Sequence, residues 1–198
     1  MFRASALAAA FAALAGLVFA GSANGVDRWA IDHAMPGARF SAHKQTIAEA
    51  LVPLLHFRWH GALHILTELV TLPAAFLPSL IVVAVVVWRT RTYAWALLWI
   101  AGNAVEELCK TTLTRPALYH HGLHLAAFDN SYPSGHTIRA VVLAAMIPAA
   151  RPWAVAAVVL LEVGGFHVPS DIAGGLLLAL ALLAARVGLA RAGGRAAA

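Results

Sequence analysis

Ser131-Tyr132-Pro133-Ser134-Gly135-His136-Thr137-Ile138-Arg139 joins a polar loop to an apolar run. Pro133 fixes its own backbone, Gly135 permits a close approach, and the apolar residues begin at Thr137, so the stretch predicts a loop entering the first turn of a helix. A helix start presents free N–H groups to an anion. Ser134 adds a hydroxyl, and His136 adds an imidazole that can exchange a proton near neutral pH. An ordinary proline and serine helix cap beside an incidental histidine would leave the same letters.

The surroundings of this stretch are unlike those of a water-soluble domain. Of 198 residues, 61% are hydrophobic and 12% charged, and the mean hydropathy is +0.77. The expected class is an all-α, polytopic membrane protein of one domain, because no polar linker long enough to separate two folded units interrupts the apolar segments. The net charge of +5 does not point to a nucleic-acid partner, since its basic residues lie scattered between apolar segments and form no stripe. Cys109, the single cysteine, sits in an apolar segment and reads as a small hydrophobe.

Six apolar segments predict six transmembrane helices in one bundle. Residues 1–24, nearly all small or apolar behind Arg3, fit a first transmembrane helix or a cleaved signal peptide. The retained span is favoured because no soluble domain follows. Residues 25–60 carry Asp27, Arg28, Asp32, His33, Arg39, Lys44, Glu49 and Arg58, and read as an extracytoplasmic loop with an interfacial helix near Thr46 to Phe57. A second span is expected over 62–88, interrupted by Pro73 and Pro78; a third over 93–113; a fourth from His136 to about Arg151; a fifth over 153–166; and a sixth over 172–187. Residues 188–198 read as a cytoplasmic tail. His56, His60 and His64 recur every four residues and would share a helix face, a spacing that suits a metal as well as interfacial histidines on a helix entering lipid.

Placing the amino terminus inside gives the cytoplasmic side Arg3, Arg89, Arg91, Arg151, Arg186, Arg191 and Arg195. The loop at 114–135 and the turn at 168–170 then fall on the extracytoplasmic face. Three segments converge there: Lys110 with Arg115-Pro116, the stretch around Ser134, Gly135 and His136, and His167-Val168-Pro169-Ser170-Asp171. The four-residue spacing lets Asp171 hold one nitrogen of His167 and free the other to attack. His136 can protonate a departing oxygen. Lys110, Arg115 and the amides near Ser134 and Gly135 can hold the equatorial oxygens of a transferred phosphoryl group. A polar pair closing a helix turn at the interface is the plainer account of His167 and Asp171.

In this order, Lys110-x4-Arg115-Pro116, Pro133-Ser134-Gly135-His136 and His167-x3-Asp171 resemble the three signature motifs of the type 2 phosphatidic acid phosphatase family. The resemblance covers roughly residues 60–187 and includes the six-span architecture, with 61–187 as the phosphatase core. It implies that His167 is the nucleophile forming a phosphohistidine, Asp171 its orienting partner and His136 the acid. Lys110, Arg115, Ser134 and Gly135 would hold phosphate, with no metal and no cofactor.

Two departures stand beside it. The family's first motif usually places Arg-Pro seven residues after its lysine, where this chain has Ala117-Leu118. Its third motif usually opens with Ser-Arg six to seven residues before the histidine, where Leu160 and Leu161 stand. The pocket is thus short of guanidinium groups suited to bidentate phosphate recognition. Arg139, three residues after His136, can reach back as a replacement, and Glu162 either pairs with Arg139 or Lys110 or has a water-lined structural role. The function expected is a metal-independent membrane phosphatase acting on a lipid phosphate or diphosphate of the polyprenyl, phosphatidic acid or phosphatidylglycerol phosphate type. The Ala-rich, multi-pass chain points to a bacterial plasma membrane. The alternatives are a non-catalytic lipid-phosphate-binding or assembly protein of the same fold, and a small transporter using Glu68, Glu106, Glu107 and Glu162 as an ion path. The exact lipid and the oligomeric state stay open.

Overall fold

A computed structural model describes residues 2–35 and 59–196. The expected interfacial helix near Thr46 to Phe57 and the remainder of 36–58 lie outside the described residues, as do 197–198.

Proline and glycine set the boundaries of the elements. Helix α1 (Phe2–Phe19) is followed at Gly21, whose φ is +74°, by α2 (Asn24–His33). Helix α3 (Trp59–Thr71) breaks at a 3-10 turn, Leu72–Ala74, that contains Pro73, and α4 (Phe76–Thr90) resumes with Pro78 in its first turn, where the missing N–H costs no helical bond. Arg91, at φ 55°, ends α4, and α5 (Ala94–Thr112) follows. A hairpin pairs β1 (Tyr119–His120) with β2 (Leu123–His124), with Tyr119 opposite His124, and a 3-10 turn spans Ala126–Phe128. Helix α6 (Gly135–Met146) leads through the 3-10 turn Pro148–Ala150 to α7 (Arg151–Val163), and α8 (Pro169–Ala196) closes the chain.

The described residues are therefore all-α apart from one short hairpin. Among the described residues, three helical stretches are long and apolar enough to cross a membrane: Phe2–Phe19, Ala62–Thr90 and Pro169–Gly188. Helices α6 and α7, at 12 and 13 residues, are shorter than a membrane span. They reach only about 18 to 20 Å at ~1.5 Å per residue, against a hydrocarbon layer of about 30 Å.

Polarity is arranged inside out. Leu66, Leu69, Phe76, Leu77, Ile81, Trp88, Leu97, Ile100, Val155 and Val159 are exposed, whereas Asp27, Thr67, Glu106, Arg115, Ser134, Arg139 and Asp171 are buried. Apolar patches of this extent are stable only against lipid or another protein. The interior has its own apolar packing. Ile138, Leu178 and Ala179 form one cluster between α6 and α8, and Ala30, Ile31, Met35, Leu118, Leu125, Phe128 and Val168 form another beneath the hairpin. Two indole N–H groups are matched across helices: Trp99 Nε1 donates to Ser79 Oγ at 3.0 Å, and Trp153 Nε1 donates to the Val70 carbonyl at 2.8 Å.

Four findings revise or refine the expectations. Residues 24–33 form a helix whose Asn24, Asp27, Ala30 and Ile31 are buried, not part of a loop, because their three- and four-residue spacing gives the segment an inward face. Residues 188–196 continue α8 in place of a tail. The 114–135 connection is partly ordered by the hairpin. Glu162 pairs with neither Arg139 nor Lys110, both of which meet Glu106.

Candidate active site

The opening stretch becomes a capped helix start. Ser134 is the N-cap of α6; its Oγ accepts from the Thr137 amide at 3.3 Å and from the Thr137 hydroxyl at 3.0 Å, which satisfies one of the orphan donors of the first turn. The Ser134 N–H donates to the Asp171 carbonyl at 2.9 Å, tying the entrance of α6 to the first turn of α8. Gly175 makes that contact possible: a Cβ there would stand 2.6 Å from the Ser134 carbonyl oxygen. The adjacent Gly174 lies against the ring of Tyr132, which itself stacks on Phe11 of α1 at 5.9 Å between centroids.

This junction brings the two histidines together. The rings of His136 and His167 lie 6.4 Å apart between centroids, inclined by 53°. His167 Nδ1 is 3.4 Å from Asp171 Oδ2, a long contact of the kind that tightens when substrate binds. With Nδ1 facing the carboxylate, Nε2 is left as the nitrogen with a usable lone pair.

Behind this pair lies a buried polar network. Asp171 Oδ1 accepts from Arg115 Nη1 at 3.2 Å. Arg115 Nη2 is ion-paired with Asp27 Oδ2 and donates to Asn24 Oδ1 at 3.3 Å. Asp27 Oδ1 accepts the Ser170 N–H at 3.0 Å, and its Oδ2 accepts the Ser170 hydroxyl at 2.7 Å. Asp27, fully buried, thereby holds the start of α8 and one side of Arg115 at once. Arg115, expected to hold phosphate, instead spends its two terminal nitrogens on Asp171, Ser170, Asp27 and Asn24, and its buried Nε has no partner among the described residues.

The second network centres on Glu106. Its Oε1 accepts from Lys110 Nζ at 2.5 Å, and its Oε2 accepts from Arg139 Nη1 at 2.7 Å. Arg139 also donates from Nη1 to Asn103 Oδ1 at 2.7 Å and from Nε to the Ala74 carbonyl at 2.6 Å. The Glu106 carboxylate packs directly on Gly135, where any Cβ would collide with it. Lys110 and Arg139 thus meet on the carboxylate that packs against the start of α6, where phosphate was expected. Three cations, Lys110, Arg115 and Arg139, face three anions, Asp27, Glu106 and Asp171.

Asp27 and Glu106 are the residues the sequence reading missed. The i, i+4 pair Glu106 and Lys110 was a readable signal for the second; only the inward spacing of Asn24, Asp27 and Ile31 hinted at the first. Of the three spaced histidines, His56 lies outside the described residues, while His64 contacts Glu68 at 3.6 Å and stacks on Phe166 at 4.5 Å. No group of potential ligands able to hold a metal ion occurs among the described residues.

Compared with protein-family models, curated proteins and solved structures, the chain has no match in any of the three.

Proposed function

We propose that this chain is a membrane phosphatase that removes the terminal phosphate from a lipid phosphate or diphosphate while the lipid tail stays in the bilayer. The observation that carries the reading is the opposition of His136 and His167, 6.4 Å apart, with His167 backed by Asp171. In the first step His167 Nε2 attacks phosphorus, the bond from phosphorus to the lipid oxygen breaks, and His136 gives its proton to that oxygen. In the second, water attacks the phosphohistidine, His136 takes a proton from the water, and orthophosphate leaves with His167 restored. Both steps place charge on phosphoryl oxygens, where Lys110, Arg139 and the first amides of α6 stabilise it.

In this reading Ser134 and Gly135 act through shape: one caps α6 and the other clears space at its first turn. Arg115 is a positioning residue that holds Asp171. Six helical segments cross a plasma membrane of bacterial type, with the histidines on the extracytoplasmic side; α6 and α7 complete their crossings with the turns that flank them. The test is a panel of polyprenyl, phosphatidic acid and phosphatidylglycerol phosphate substrates offered to detergent-purified protein in EDTA, scored by inorganic phosphate. Release by the wild type and its loss in His167→Ala is the expected result. Equal release by both proteins would end the proposal.

A second reading, a lipid-phosphate binder or assembly protein of the same fold, is favoured by one observation. Each cation near the histidines already has a carboxylate partner, while Leu161, where the resembled family carries its Ser-Arg pair, is buried and apolar. Lipid-phosphate binding without turnover would distinguish it.

A further inference from the structure

We infer that Glu106 is an internal anion that occupies the phosphate cradle until substrate displaces it. The inference rests on the phosphatase reading for the identity of the incoming group, and on the placement of Glu106 for the rest. Its two oxygens already take the two charge-assisted bonds, from Lys110 at 2.5 Å and Arg139 at 2.7 Å, that a phosphoryl group at this end of α6 would take. Its carboxylate rests on Gly135, the first residue of α6, next in sequence to His136. A carboxylate at a helix N-terminus beside two cations is a serviceable stand-in for a phosphate at the same place.

Charge arithmetic makes the two occupants exclusive. Lys110 and Arg139 against Glu106 leave one positive charge. A phosphate dianion added with Glu106 in place would put three negative charges against two positive ones in a mostly buried site, where unbalanced charge is costly. Removal of the carboxylate leaves the cradle standing. Arg139 stays anchored by two neutral acceptors, the Ala74 carbonyl at 2.6 Å and Asn103 Oδ1 at 2.7 Å. Lys110, the most accessible member of the set, can follow the ligand. Exchange of one anion for another therefore requires movement of the Glu106 side chain and little else.

The sign of the expected effect separates this role from that of a counter-ion that orients Lys110 and Arg139. If the carboxylate fills the cradle about nine-tenths of the time, its removal tightens phosphate about tenfold. The experiment is calorimetric titration of inorganic phosphate into the full chain in detergent, comparing wild type with Glu106→Gln. Glu106→Asp serves as a second variant that keeps the charge for folding and withdraws it from α6 by one methylene. Tighter binding in both variants, reversed when Arg139→Gln is added, is the expected result. Binding equal to or weaker than wild type overturns the inference, as does tightening that survives Arg139→Gln. Inorganic phosphate release measured on the same samples keeps the two readings apart. Turnover with unaltered phosphate affinity in the Glu106 variants, or with no phosphate binding by any protein, sinks the internal anion alone; tightened phosphate without any turnover sinks the hydrolase alone; neither binding nor release by any protein sinks both.

Discussion

At the scale of residues, the two histidines have unequal duties, and their replacement separates them. His167→Ala removes the attacking nitrogen and is expected to lower kcat by about a thousandfold or more, while His136→Ala loses proton transfer alone, about a hundredfold to ten-thousandfold. A good leaving group checks the distinction: an aryl phosphate, which needs no protonation, should restore the first step of His136→Ala, read as a burst of released aryl alcohol, while breakdown of the phosphohistidine stays slow and His167→Ala shows no burst. Denaturing gels of protein mixed with labelled substrate should retain acid-labile phosphate on the wild type and none on His167→Ala. Asp27 belongs at this scale too. It faces Arg115 and Ser170 from α2, so Asp27→Ala leaves the buried guanidinium with Asp171 as its remaining carboxylate and is expected to cost up to about 3 kcal/mol, read as a fall in the midpoint of thermal unfolding in detergent. Asp27→Asn, which keeps its bond to Ser170, should lose less.

At the scale of elements, the site exists because α6 and α8 approach more closely than side chains of ordinary size allow. Gly174 and Gly175 admit Tyr132 and the Ser134 carbonyl, and Gly102 on α5 admits Ile138 of α6 in the same way. Gly175→Val is expected to force α8 away from the α6 cap and lengthen the bond from Ser134 to Asp171. Overpacking of this kind costs about 1 to 3 kcal/mol, and because the displacement moves His167 relative to His136, kcat should fall further than stability does. Comparing turnover with the unfolding midpoint for the same preparation checks it. Helix α2 is the other decisive element: it carries Asn24 and Asp27 inward and links to the hairpin through His120 Nδ1 and Asp32 Oδ1 at 2.8 Å.

At the scale of the whole molecule, α1 packs along α8 and supplies the Phe11 carbonyl to the Tyr132 hydroxyl at 3.4 Å. A segment seated along α8 in this way is expected to stay in the mature protein, and intact mass measurement of membrane-extracted protein should include residues 1–24. The proposed topology is checked by labelling. With buried Cys109 replaced by Ala, a cysteine at Ala127 in the loop before α6 should react with a membrane-impermeant maleimide in intact cells, and one at Thr90 only after permeabilisation. The reverse pattern would place the histidines on the cytoplasmic side.

Composition and spacing were enough to locate apolar segments, because a residue that cannot leave lipid without cost declares itself by type; those expected over 62–88, 93–113, 136–151 and 153–166 overlap the helices at 59–71 and 76–90, 94–112, 135–146 and 151–163, with bounds the sequence did not give. The spacing of His167 and Asp171 was also local, one helical turn of arithmetic. Partners across the chain were not. Arg115 binds carboxylates 88 residues before it and 56 after it, and Glu106 reaches Arg139 33 residues on. Nothing in the order of letters states which cation a buried acid will meet. Sequence determined that charges lay within an apolar protein and had to be matched; the packing of α2, α5, α6 and α8 decided the matches, because burial makes every unpaired charge expensive and only the assembled helices bring distant opposites within reach.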